Sequence, residues 1–125
     1  MNLVDSCGWL EFLADGPNAG FFARPLADTE NVLVPTICLY EVFKKTLQQR
    51  GEEAALDVAA LMQQGKVVDL DAAIALDAAD LAALRKLSLA DAVILATARA
   101  HGATTWTQDA HFEGLPGVRY RAARA

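Results

Sequence analysis

The sequence predicts an α/β fold, a three-layer α/β/α sandwich with a central parallel sheet, and three observations carry that reading. Short apolar runs alternate with longer segments of helical periodicity along the chain. No Asn-Gly or Asp-Gly turn joins one such run directly to the next, so the strands are expected to be linked by crossovers and to lie parallel, both faces covered. The 125 residues, 54% hydrophobic and 22% charged, suffice for one domain spanning 1–125 that buries roughly two thirds of its unfolded surface. That composition excludes disordered and collagen-like chains.

The first strand is expected at Asn2-Leu3-Val4. Asp5-Ser6 follows, with Ser6 as the N-cap of a helix carrying Cys7, Trp9, Leu10, Phe12 and Leu13. Asp15-Gly16-Pro17-Asn18 breaks that helix, and a short helical or irregular piece holding Phe21, Phe22 and Leu26 leads to a second strand, Asn31 to Val34. Pro35-Thr36 closes the strand and caps a third helix that runs to about Arg50, where Gly51 stops it. Leu39, Val42, Phe43, Thr46 and Leu47 follow the three-four spacing of its core-facing stripe. A fourth helix extends through Met62 and ends at Gly65. Lys66 to Leu70 reads as a third strand, and Asp71 as the cap of an Ala- and Leu-rich fifth helix reaching Lys86. Ser88 starts a sixth, Leu89 to His101, ended by Gly102. Ala103 to Trp106 is the fourth strand, and Val118-Arg119-Tyr120 is expected at an edge guarded by Arg119 and Arg121.

Lys and Arg number 11 against 16 Asp and Glu, a net charge of -5 at pH 7, so nucleic acid would have to be held at a local site and not by bulk charge. Cys7 and Cys38 lie among apolar neighbours without CxxC spacing and read as core thiols of a reducing compartment. The early Asp5, with no basic residue before Arg24, does not make a secretory signal, and the apolar runs are too short to span a bilayer. A cytoplasmic protein without membrane contact is expected.

In open parallel sheets, sites form at the carboxyl ends of the strands near the point where strand order reverses. Asp5 directly follows the first strand and Asp109 follows the fourth; if those strands are neighbours, the two carboxylates converge. Glu41 and Asp91 sit early in helices that open toward the same rim. Four convergent carboxylates repel one another, and a divalent cation resolves that repulsion. Mg²⁺ or Mn²⁺ takes oxygen ligands together with substrate phosphate, and lowers the pKa of a bound water for in-line attack on a phosphodiester.

Each acid also has a plainer reading. Asp5 could bond its own turn, Glu41 could pair with Lys45 on an exposed helix face, Asp91 could complete a cap begun by Ser88, and Asp109 could cap a short turn. Asp91 nevertheless interrupts the apolar run Leu89-Ala90-Asp91-Ala92-Val93-Ile94-Leu95-Ala96, where a charge calls for a partner. HExxH, Cys/His clusters, GxSxG, Walker loops and GxGxxG are all missing, so zinc, serine-hydrolase and nucleotide-cradle chemistry lack their residues.

The chain resembles the PIN-domain ribonucleases, and among them the VapC toxins of VapBC-type toxin-antitoxin pairs, over nearly its whole length. The segments that carry the resemblance are Leu3-Val4-Asp5-Ser6, then Val34-Pro35-Thr36 through Tyr40-Glu41-Val42, then Leu87-Ser88-Leu89-Ala90-Asp91-Ala92 leading into Ile94 and Ala96-Thr97-Ala98, and Thr107-Gln108-Asp109 through Phe112. The resemblance implies a single PIN domain in which Asp5, Glu41, Asp91 and Asp109 gather Mg²⁺ or Mn²⁺, with Asp5 and Asp91 as the direct ligands. Glu41 and Asp109 would complete the coordination directly or at one remove and position or activate the attacking water, while Ser6 and Thr107 orient carboxylates. It further implies a type II toxin, an endoribonuclease that cuts single-stranded or looped RNA as a homodimer. A cognate antitoxin, whose other end binds operator DNA, would neutralise it by covering the site with its C-terminal tail. Many relatives carry a further acid where this chain has His111, which is expected to be a structural or phosphate-facing substitute sooner than a ligand, although an imidazole can also bind a cation.

Lys44, Lys45, Arg50, Arg85, Lys86, Arg99, Arg119, Arg121 and Arg124 either line a rim around the acids or are scattered solvated charges. Two other classes fit the size and acidity. One is a PIN-like binding protein without activity; the other is a Mg²⁺-binding receiver domain, which needs a late lysine, whereas the last lysine here is Lys86.

Overall fold

The computed structural model describes residues 1–124. Five strands, β1 (Asn2–Val4), β2 (Val32–Pro35), β3 (Lys66–Val68), β4 (Thr104–Thr107) and β5 (Val118–Tyr120), form one sheet in the order β3-β2-β1-β4-β5. All pairs are parallel, with Leu3 opposite Leu33, Val4 opposite Trp106, and Thr107 opposite Tyr120. Six helices flank the sheet: α1 (Ser6–Leu13), α2 (Ala19–Leu26), α3 (Thr36–Arg50), α4 (Glu52–Met62), α5 (Ala72–Arg85) and α6 (Leu89–Ala100). This is the α/β architecture expected. The order differs from the 2-1-3-4-5 order of receiver domains, which removes that alternative.

Successive residues of a strand point to opposite faces, so a strand buried at every position is covered on both sides. β2 is buried throughout, as are Leu3 and Val4 of β1. The edge strands β3 and β5 are largely open, consistent with Lys66 and Arg119 at those edges. The core joins β1, β2 and β4 to Trp9, Phe22, Cys38, Val42, Met62, Ile94, Leu95 and Phe112, and a smaller cluster packs Ile74 and Ala78 of α5 on Ala92, Val93 and Ala96 of α6. Glycine is required where α1 crosses this core, because a Cβ at Gly8 would lie 2.6 Å from Val4 Cγ1 and 2.7 Å from the Phe22 ring. Gly51, at φ 91°, makes the turn between α3 and α4.

Several local expectations are corrected. The N-cap of α1 is Asp5, not Ser6: its carboxylate accepts from Gly8 N, while the Ser6 hydroxyl is drawn to a distant acid. The stripe α3 buries is Cys38, Val42 and Thr46, whereas Leu39 and Phe43 are half-buried and Leu47 is exposed. Asn31 belongs to a 3₁₀ turn (Thr29–Asn31) and not to β2; β3 stops before Asp69 and Leu70; β4 begins at Thr104 and takes in Thr107. Cys38 is a core thiol as expected, but Cys7 is half-buried with its thiol against a carboxylate. Among the described residues, no helix is long and apolar enough to cross a membrane.

Candidate active site

Strand order reverses between β1 and β4, which are neighbours, and the chain leaves both strands toward the same rim. Asp5 leaves β1 in extended geometry (φ -71°, ψ 174°), and its backbone N–H donates to Trp106 O on β4 at 3.2 Å. The side chain is buried and surrounded by donors. Oδ1 accepts from Gly8 N at 2.9 Å and from Cys7 Sγ at 3.0 Å; Oδ2 accepts from Cys7 Sγ at 3.1 Å and from the Thr107 hydroxyl. Burial pushes the Asp5 carboxyl up to about 6, an effect the bonds from Thr107, Cys7 and Gly8 oppose and the charge of Asp109 reinforces. Burial beside Asp5 also pushes the Cys7 thiol up, so it stands as a neutral donor.

Thr107 links this corner to the next acid, since its oxygen also accepts from Asp109 N at 2.9 Å. Asp109 then caps a single 3₁₀ turn (Ala110–Phe112), taking His111 N on Oδ1 at 2.9 Å. Buried Phe112 anchors the far end of that turn. From the other side, α6 begins at Ser88, whose hydroxyl accepts from Asp91 N at 3.3 Å. The cap aims Asp91 at the rim. Burial and then the charge of Asp109 push its carboxyl up, against the pull of Ser88 and His111.

The His111 ring enters between these two acids. Its Nδ1 lies 3.4 Å from Asp91 Oδ2 and 3.3 Å from Asp109 Oδ1. One donor atom from each of Asp91, Asp109 and His111 falls within 4.8 Å of the others. The two carboxylates offer the oxygen ligands that suit a divalent cation such as Mg²⁺ or Mn²⁺, and the imidazole stands beside them.

Glu41 lies on α3, half-buried, and accepts the Ser6 hydroxyl on Oε1 at 2.6 Å. The turn Asp5-Ser6 therefore serves two acids at once: it supplies one and holds the other. Glu41 borders a concavity shared with Ser6, Cys7, Tyr40, Lys44, Lys45 and Gln48. Among the described residues it makes no ion pair with Lys45, contrary to the exposed-pair reading; Lys44 instead rests over the Tyr40 ring at 5.8 Å.

The structure thus brings Asp91 and Asp109 together, sets Asp5 beside Asp109 through Thr107, and ties Glu41 to the same turn through Ser6. It gathers His111 with Asp91 and Asp109, where the sequence reading had kept it outside the ligand set, and it adds Cys7 as a donor to Asp5. Asp109 capping His111 N at a spacing of two is the local signal that could have located the ring.

A PIN domain profile matches residues 3–118 of the chain. No curated protein matches it by sequence. Among solved structures, the fold is similar to that of a toxin-antitoxin complex from Klebsiella pneumoniae, with a TM-score of 0.82 at 23% identity over 95% of this chain and 96% of that one. It is also similar to VapC20 of Mycobacterium tuberculosis, a sarcin-ricin loop cleaving toxin (TM-score 0.72, 22% identity, 95% and 99% covered). A third likeness is to DNA-bound VapBC from Salmonella typhimurium (TM-score 0.73, 21% identity, 98% of each chain covered).

Proposed function

The chain belongs to the PIN domain family, and on that premise we propose that it is a metal-dependent endoribonuclease, the toxin of a type II toxin-antitoxin pair. The observation that carries the reading is the meeting of Asp91, Asp109 and His111 at the carboxyl rim between β1 and β4, beside buried Asp5. Mg²⁺ or Mn²⁺ held there by Asp91 and Asp109, with Asp5 behind them, would polarise a phosphodiester and acidify a water for in-line attack. Asp5 keeps Thr107, and through it the Asp109 backbone, in place. Glu41, steadied through Oε1 by Ser6 and lining the concavity, would take up the proton of the attacking water.

Substrate and partner follow from the surface. Arg119 and Arg121 are exposed, flank the end of β5 next to Thr107, and rest over the rings of Trp106 and Phe21 at 5.0 and 4.9 Å. Such supported guanidinium groups suit phosphates of a looped RNA recognised by shape, which an acidic protein requires. Along α3, Leu39, Tyr40, Phe43 and Leu47 face Ala59 of α4 across an apolar groove that meets the Glu41 concavity at Tyr40. An antitoxin segment laid in that groove would lead its end to the acids, as the likeness to toxin-antitoxin complexes supports. The chain works as a homodimer in this reading.

The test is cleavage of total cellular RNA by purified protein with Mn²⁺ or Mg²⁺, beside an EDTA control and Asp91→Asn. Discrete fragments with wild type and metal alone are expected. Equal cleavage by Asp91→Asn would sink the proposal.

A further inference from the structure

We infer that His111 is itself a metal ligand, so that the centre is a mixed imidazole and carboxylate site that prefers Mn²⁺ to Mg²⁺. The inference rests on the nuclease reading above and deepens it. The sequence favours a substitute facing phosphate or structure and leaves a cation ligand as the alternative.

The distances argue first. Nδ1 stands 3.4 and 3.3 Å from the two carboxylate oxygens, longer than a charge-assisted N–H···O bond, which closes to about 2.7–2.9 Å. Ligands bound at about 2.1 Å around an octahedral ion are roughly 3 Å apart along an edge, and the observed separations sit near that figure. The number of partners argues second, because one ring nitrogen carries a single proton or a single lone pair, and a proton shared between two acids makes two long, weak bonds where an ion would make three short ones. An ion between the three atoms satisfies all of them.

Core packing is not the role of this histidine. The ring is 74% exposed, so it is not packed for the core. Its backbone is held firmly: His111 N is tied to Asp109 Oδ1 at 2.9 Å, and the next residue, Phe112, is fully buried. The ring is therefore carried to the acids by a fixed turn. Imidazole is a good ligand for first-row transition ions and a poor one for Mg²⁺, which demands hard oxygen donors. An acid at the same place would favour Mg²⁺; His111 tilts the choice the other way.

Pulsed electron paramagnetic resonance of the purified full chain titrated with Mn²⁺ reads this directly, since a bound imidazole imprints ¹⁴N modulation on the Mn²⁺ echo. Wild type is expected to show that modulation and His111→Gln to lose it while still folding, the side chain being exposed. Calorimetric titration of both metals should show the Mn²⁺ to Mg²⁺ affinity ratio falling tenfold or more in His111→Asp. Mn²⁺ bound without nitrogen modulation, or modulation retained in His111→Gln, overturns the inference and leaves the nuclease reading standing. Failure of wild type to bind Mn²⁺ at all overturns both.

Discussion

The two acidic corners of the rim are built on opposite principles. Asp5 is 3% exposed and accepts from Gly8, Cys7 and Thr107, so the fold has surrounded its charge with donors of its own. Asp91 and Asp109 keep 16% and 31% of their side chains exposed, and what faces both of them is His111. Asp5 is thus compensated from within and fixes the geometry, while the Asp91 and Asp109 pair has fewer donors of the fold's own, from Ser88 and His111, and is left more open to a cation. Thr107, bonded to both corners, keeps them in register.

The largest expected effect lies at the open corner. Asp91→Asn should lower RNA cleavage on the order of 10³-fold, about 4 kcal/mol of transition-state stabilisation. Its thermal midpoint should be unchanged or higher, because repulsion with Asp109 goes with the charge. Cleavage assays paired with thermal melts check both halves, and a variant that loses activity by unfolding would break the distinction between the corners.

At the closed corner the charge itself is the cost. With its carboxyl raised from 3.8 to about 6, Asp5 favours the protonated native state. Well below pH 3.8 both folded and unfolded forms hold the proton and this stabilisation is fully present; it is lost as pH rises from there through 6. The part of the shift that falls between pH 4 and pH 7 amounts to about 2 kcal/mol. Asp5→Asn retains a good N-cap residue and removes the titration, so the stability difference between it and wild type should grow in the variant's favour across that window. Urea denaturation at several pH values, in EDTA, gives the difference. A pH-independent difference would mean that Asp5 is not the buried charge it is taken to be.

The parts legible in sequence were those decided by neighbours along the chain. Asp71 and Ser88 cap α5 and α6 as their local patterns indicate, and the apolar runs of β1 and β2 announce strands covered on both faces. At Asp5-Ser6 two good capping residues stand side by side, and the choice between them is made by Glu41, 35 residues away, which claims the Ser6 hydroxyl. Along α3 two stripes share one period. The compact Cys38, Val42 and Thr46 fit the close approach to the core, which leaves Leu39, Phe43 and Leu47 toward the groove beside α4. Asp5, Asp91 and Asp109 stood out in sequence because each follows a strand or opens a helix, whereas Glu41 lies in the second turn of α3 and reaches the turn after β1 only through Ser6. The place of His111 depended on a 3₁₀ turn too short to have a period.

Thr107 offers the next test, for it serves the closed corner and should affect stability more than rate. Thr107→Val keeps the shape, removes the hydroxyl bonded to Asp5, and leaves Asp109 N without its acceptor. A loss of about 2 kcal/mol is expected from chemical denaturation, as befits a buried carboxylate deprived of a donor, together with a further rise in the Asp5 pKa. Unchanged stability would show that Cys7 and Gly8 suffice to hold Asp5.

Ser6 is the counterpart for Glu41, outside both corners, and the smallest effect on stability belongs there. Its hydroxyl meets Glu41 at 2.6 Å in a half-buried setting where water can replace it, so Ser6→Ala should cost about 1 kcal/mol or less. The rate should respond more, because Glu41 freed of Ser6 samples rotamers that no longer face the attacking water. A fall in kcat of roughly 10-fold with KM little changed is expected, the size usual for losing a group that orients a metal-site carboxylate. Ser6→Thr, which restores a hydroxyl at the same place, should recover most of it. The two hydroxyls then separate by readout: removing Thr107 weakens the fold first, and removing Ser6 slows the reaction first. A Ser6→Ala enzyme with unaltered kcat would remove Glu41 from the proton-transfer step and leave its bond to Ser6 as a tie between α1 and α3.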